Sequence, residues 1–306
     1  MNRMLRDFWA VLLLTLAAPA AHAALSVFAC EPEWGALVTE LAGDKAQVYT
    51  ATTARQDVHR IQARPSLLAA FRRADLAVCT GAELEIGWLP VLFAEAGNSR
   101  VQPGKPGFFE ASRHVALREV PASLDRSLGD QHAAGNPHIQ LDPRNILEVA
   151  RPLAARLAEL DPGNADHYRA RLARFDARWR EAMAGWVRRA APLKGVPVIV
   201  HHRGFLYLNA WLGLKQVGEL EPKPGIEPTA AHLAQLLERQ QREPARVVIR
   251  APYNSAQASE WFAQRAGIPK VVLPYTVGGS EKATDLTSLF DDTIDLLLAA
   301  AQGARG

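Results

Sequence analysis

The sequence predicts an α/β protein of two lobes, each a parallel-strand sheet with helices packed on it, joined by one long interdomain helix. Three observations carry that expectation. Short apolar runs alternate with helical patterns in the first half of the chain and again in the last third, the grammar of βαβ units. Between them, one segment keeps apolar residues at three- and four-residue spacing as far as about Ala190. Hydrophobic residues make up 48% of the 306 and charged residues 22%, enough apolar side chain to bury two domain cores.

The first segment reads as an export signal. Arg3 and Arg6 precede an apolar run over 8–20 that closes with Ala21-His22-Ala23, a basic start, an apolar centre and a small-residue cleavage site. About 13 apolar residues are too few for a membrane span, which needs roughly 20. Residues 1–23 are therefore expected to be cleaved, leaving a soluble, periplasmic protein that begins near Ala24.

The first lobe is assigned to 24–143, with strands over 25–30, 47–52 and 75–80 and helices over 34–42, 65–74 and 84–96. The stretch 103–137 is rich in turn residues and reads as mostly loop. A helical segment over 144–190 follows. Its first helix places Ile146, Val149, Leu153, Leu157 and Leu160 on one face, and Asp161-Pro162-Gly163-Asn164 ends it. Asn164 or Asp166 then caps the long helix, whose stripe is Tyr168, Leu172, Phe175, Trp179, Met183 and Trp186. Acidic residues interrupt its arginine-bearing face, so that face reads as solvated surface and not as a polyanion site. The second lobe, 191–306, repeats the pattern with strands over 197–201, 216–220, 246–250 and 270–273. Its helices are expected over 205–212, 229–241, 255–266 and 285–301.

Composition excludes several classes. Thirty-five basic against 32 acidic residues leave a formal charge of +3, too small to suggest a nucleic-acid partner. Two cysteines cannot build a disulfide-rich scaffold or a cysteine-ligated metal domain. Cys30 and Cys79 each end a strand-like run, so in a parallel sheet with those strands adjacent they would meet. An exported protein permits a bridge there, worth about 4 kcal/mol on the chain-entropy model. Two separately buried thiols are the alternative.

The chemistry must then come from histidines, carboxylates and hydroxyls. Nine histidines are present and none pairs at helical spacing, which excludes an H-E-x-x-H site. His59 precedes a proline-led helix, His138 lies in a turn-rich segment that opens a helix, and His201 and His202 end the strongest β run of the second half. Open α/β sheets hold their ligands at such strand ends and helix starts. One such histidine means little; three in equivalent positions point to a metal.

These segments also match a family. The chain resembles the metal-specific cluster A-I solute-binding proteins of bacterial ABC transporters, of the zinc-binding type. Asp57-Val58-His59 with Pro65-Ser66 is similar to that family's D-P-H and P-S segments, and Asn136-Pro137-His138 through Asp142-Pro143 to its D-P-H-x-W-L-D-P. Leu160 through Tyr168 resembles its entry to the long helix. The spacing to Phe205 and Tyr207 selects His202 over His201 in the third motif, and Pro222 through Pro228 is similar to an E-P-S segment. The resemblance implies His59, His138, His202 and a late acid, Asp285, as metal ligands, with Asp291, Asp292 and Asp295 as weaker candidates on a solvated helix face. Val58 and Asn136 depart from the pattern, as does Arg250 where Glu is common. The family's histidine-rich loop is reduced to His132, which reads either as an ordinary loop histidine or as a residue that recruits metal transiently.

Three imidazoles and one carboxylate suit Zn²⁺ better than Mn²⁺, which prefers more oxygen donors. The resemblance implies a high-affinity zinc carrier, not an enzyme, that is monomeric and delivers Zn²⁺ to an ABC transporter permease. A periplasmic metallochaperone is a conceivable further partner. The alternatives are a carrier of manganese or another divalent metal, and a zinc-dependent hydrolase, for which Glu33 and Glu227 are the nearest general bases. Binding is expected to weaken as pH falls through about 6.5, where imidazoles protonate.

Overall fold

The computed structural model describes residues 24–125, 127 and 129–303; the expected export signal lies outside them. Strands β1 (Leu25–Ala29), β2 (Ala46–Thr50), β3 (Leu76–Cys79) and β4 (Phe108–Glu110) form one sheet, ordered β2-β1-β3-β4. Strands β5 (Pro197–Val200), β6 (Lys215–Glu219), β7 (Val247–Arg250) and β8 (Lys270–Val272) form the other, ordered β6-β5-β7-β8. Every pairing is parallel. The central strands are buried on both faces, as crossover helices require.

In the first lobe, helices α1 (Pro32–Ala42), α2 (Pro65–Arg73) and α3 (Leu89–Glu95) each carry Pro in the first turn, where the missing N–H has no intrahelical partner to lose. Then come α4 (Pro143–Leu160) and the long α5 (Ala165–Ala190). The second lobe adds α6 (Leu206–Leu212), α7 (Ala230–Gln240), α8 (Ala256–Ala266) and the closing α9 (Leu286–Gly303). Phe71, Trp88 and Leu92 pack on one outer face of the first sheet, and Leu233, Leu236 and Phe262 on the matching face of the second.

The inner faces share one core. It runs without interruption from Val27 and Trp34 through Trp179 and Trp186 to Val198 and Phe290. Trp179 lies edge-on to Trp186 and Phe290, at centroid distances of 5.1 and 5.6 Å. Truncating such a buried Trp to Ala typically costs about 3–5 kcal/mol. Polar contacts fix the helix at both ends of its run. Arg171 and Arg178 bond to the α1 residues Thr39 and Glu40, and Arg189 pairs with Asp291 and Asp295 on α9. The arginine face is thus largely engaged in ion pairs and backbone capping. Asp292, expected on a solvated face, is buried and accepts from the Ser280 hydroxyl.

Two expectations need correction. The segment 84–96 is helical only over Leu89–Glu95, because Gly81, Ala82 and Glu83 take left-handed backbone conformations and the chain turns through Trp88. The stretch 103–137 contains β4, whose three residues pair with β3. Cys30 and Cys79 leave neighbouring strands side by side and form a disulfide. Among the described residues, no helix is long and apolar enough to cross a membrane.

Candidate metal centre

The two sheets present the carboxyl ends of their strands to a common crevice. His59 sits in a 3₁₀ turn, Val58–Arg60, just before α2. Asp57 forms that turn, accepting from the His59 backbone N–H at 3.1 Å while its Oδ1 lies 2.9 Å from the ring Nδ1. His138 follows Asn136-Pro137. The Asn136 side chain accepts from the His138 N–H at 3.0 Å and donates to the Arg203 carbonyl at 3.1 Å, tying the turn to the second lobe. Asp142 caps α4 four residues later and fixes where the turn ends. His202 directly follows β5 and its neighbour His201, and its Nδ1 lies 2.7 Å from Glu221 Oε2 at the end of the adjacent strand.

The three imidazoles converge. Each offers a ring nitrogen within 4.8 Å of the other two. Nε2 of His138 and Nε2 of His202 lie 3.3 Å apart. Tetrahedral zinc with Zn–N bonds of roughly 2.0–2.1 Å requires nitrogen–nitrogen edges of about 3.3–3.4 Å, so this pair already has the required span. Nε2 of His59 is buried without a hydrogen-bond partner, an orphan that a cation would satisfy. Burial pushes the His138 pKa well below the usual imidazole range, and the neighbouring His202 and His59 add to the effect. His138 is thereby kept neutral and able to ligate. Burial alone would raise the Asp57 pKa, but the hydrogen bond and charge of His59 outweigh it and hold the carboxylate below its ordinary value.

His132 borders the trio, with its ring 5.4 Å from that of His59, and its Nδ1 is buried and unpartnered. Burial first, and then His59, lower its pKa to about 4. A cavity of about 280 Å³ lined by Asp130, His132, His138 and His202 opens over the site. On the other side, a cavity of about 20 Å³ separates His59 and His138 from Glu31 and Glu33.

Asp285 is elsewhere. It begins α9, where its Oδ1 accepts from the Ser288 N–H at 2.7 Å, and it lines a different, open cavity with Arg171 and Thr39. Its position before the last helix reflects capping. His201 is buried but is not one of the converging trio, and burial lowers its pKa to about 4. The Arg250 guanidinium donates to the carbonyls of Ala251 and Asn254, holding the turn after β7. Of the two bases weighed for hydrolysis, Glu227 is exposed, and buried Glu33 accepts from the Thr276 hydroxyl.

Glu221 and Tyr275 were missed in the sequence. Glu221 had a signal: it follows a strand that neighbours the one leading to His202. Tyr275 had none, since its approach to His138 depends on the turn after β8.

Comparison with known proteins identifies the family. A family model described as "ZnuA: Zinc-uptake complex component A periplasmic" matches residues 27–300. The high-affinity zinc uptake system protein ZnuA of Yersinia pestis is 27% identical over 190 residues, 58% of this chain, and the match spans only 60% of that relative's length. The protein of the same description from Bacillus subtilis is 24% identical over 80% of this chain and 76% of its own. A solved structure titled "Crystal structure of ZnuA" superposes with a TM-score of 0.75 at 24% identity, covering 91% of this chain and 99% of that one. With a match that runs over nearly all of the described residues, the chain belongs to the ZnuA family of periplasmic zinc-uptake components.

Proposed function

We propose that this protein is a periplasmic solute-binding protein that captures Zn²⁺ between its two lobes and hands it to the membrane permease of an ABC importer. The observation that carries this reading is the convergence of His59 and His138 from the first lobe with His202 from the second, with His138 and His202 at the nitrogen spacing of tetrahedral zinc. The protein's relatives in Yersinia pestis and Bacillus subtilis are zinc-uptake proteins, which supports the same cargo. The fourth position belongs to His132, whose buried Nδ1 has no other partner. Four imidazoles disfavour manganese, which selects oxygen donors. They also close the sphere to the water that a hydrolase would activate, so the protein is a carrier and not an enzyme.

Zinc titration of single variants tests the assignment. His202→Ala should weaken binding by about a hundredfold or more, the loss of one of four ligands from a site worth on the order of 10–16 kcal/mol. His201→Ala should change it little, and His132→Ala should fall between the two. If His201→Ala proved the more damaging, the wrong neighbour would have been chosen.

A further inference from the structure

Two of the three converging imidazoles rest on carboxylates, His59 on Asp57 and His202 on Glu221. His138 does not. Its Nδ1 lies 2.8 Å from the hydroxyl of Tyr275, which reaches across from the loop after β8. Tyr275 is buried, and its backbone has φ of +69°, a left-handed conformation that costs a residue with a side chain roughly 1–2 kcal/mol. Neighbouring glycines make room for it. A methyl group on Gly204 would overlap the Tyr275 hydroxyl, and one on Gly279 would overlap the Pro274 carbonyl. The next residue, Thr276, donates to Glu33, so two successive side chains of this loop grip the first lobe.

A neutral imidazole carries one N–H, and a metal needs the lone pair of the other nitrogen. Nε2 of His138 faces Nε2 of His202 at 3.3 Å and is therefore the ligating atom. Its ring proton must then sit on Nδ1, whose polar partner among the described residues is the Tyr275 oxygen. The phenol proton must point elsewhere. The ring of Tyr253 packs edge to face on that of Tyr275 at 5.4 Å.

We propose that Tyr275 is a positioning residue for zinc capture: it accepts from Nδ1–H of His138, fixing the tautomer whose Nε2 binds the ion. The inference rests on the histidine site proposed above. Charge explains why a phenol stands where the other histidines have acids. Asp57 and Glu221 together neutralise one Zn²⁺, and a third buried carboxylate would leave an uncompensated charge. Without the ion, the same hydrogen bond can run the other way, from the Tyr275 hydroxyl to Nδ1. Metal binding thus reverses its direction without moving a heavy atom.

Long-range ¹H–¹⁵N spectra of the wild-type protein with and without zinc give the first test. The zinc form should show His138 protonated at Nδ1 and metal-shifted at Nε2; the opposite assignment would overturn the proposal with no variant needed. In the second, Tyr275→Phe should weaken zinc binding ten- to a hundredfold, the usual range for a partner behind a ligand. The melting temperature of the metal-free variant should stay close to wild type. Zinc affinity within twofold of wild type for Tyr275→Phe would refute the role of Tyr275 while leaving the site intact. If His138→Ala were equally silent, the histidine site itself would fail.

Discussion

At the scale of single residues, the groups around the crevice make opposing demands on pH. His132 and His201 have pKa values lowered to about 4, and His138 lies well below its ordinary value, all chiefly through burial. For each, the unfolded chain takes up a proton first as pH falls below about 6.5, so stability is lost between that value and the folded one. The buried carboxylates do the reverse. Burial raises Glu33 and Glu85 to about 7 and also lifts Glu31 well above its ordinary value, the last helped by the charge of Glu85. In the folded state they hold protons that the unfolded chain has released, a contribution fully present below about 4.5 and lost as pH rises through 7. The two sets act in the same window with opposite sign. The metal-free protein should therefore keep a nearly constant urea midpoint between pH 7 and 4.5, whereas Glu33→Gln should lose stability on acidification. A variant whose midpoint tracks wild type across that range would contradict the balance. The depressed His138 and His132 also move the protonation of two proposed ligands below the 6.5 expected from sequence. The histidines themselves were legible because motif and topology agree on them. Asp285 was misjudged because an acid before a terminal helix has the same sequence signature whether it caps or ligates.

At the scale of elements, the sequence revealed what repeats and concealed what depends on a neighbour. Strands β1 and β5 and helix α5 carry their own periodicity. Strand β4 does not: Phe108-Phe109-Glu110 becomes a strand only because β3 offers it an edge. The shortening of α3 was hidden for a similar reason. Its expected first turn is spent on a left-handed bend that lets Glu85 accept from the N–H groups of Thr80 and Gly81, at 2.7 and 3.1 Å. The disulfide between Cys30 and Cys79 closes a loop across 49 positions next to that bend. On the chain-entropy model its removal should lower stability by about 4 kcal/mol. Guanidinium titrations of the native protein and of the Cys30→Ala/Cys79→Ala double variant check this; coincident midpoints would show that the crosslink restrains little.

At the scale of the molecule, the continuous inner core ties the lobes to each other and to α5. Zinc should then tighten the crevice loops without a large swing. X-ray scattering should show a radius of gyration that changes by no more than about an ångström on zinc addition, while the melting temperature rises with free zinc as mass action requires. A collapse of several ångströms would mean that the joint is a hinge. Calorimetry should give a single cooperative transition, since neither lobe buries its inner face alone.

The aromatic ladder of Trp179, Trp186 and Phe290 carries one more consequence. A polypeptide severed between the two sheets would leave aromatic surface bare on both fragments, so separately expressed halves should precipitate and regain solubility only when refolded together.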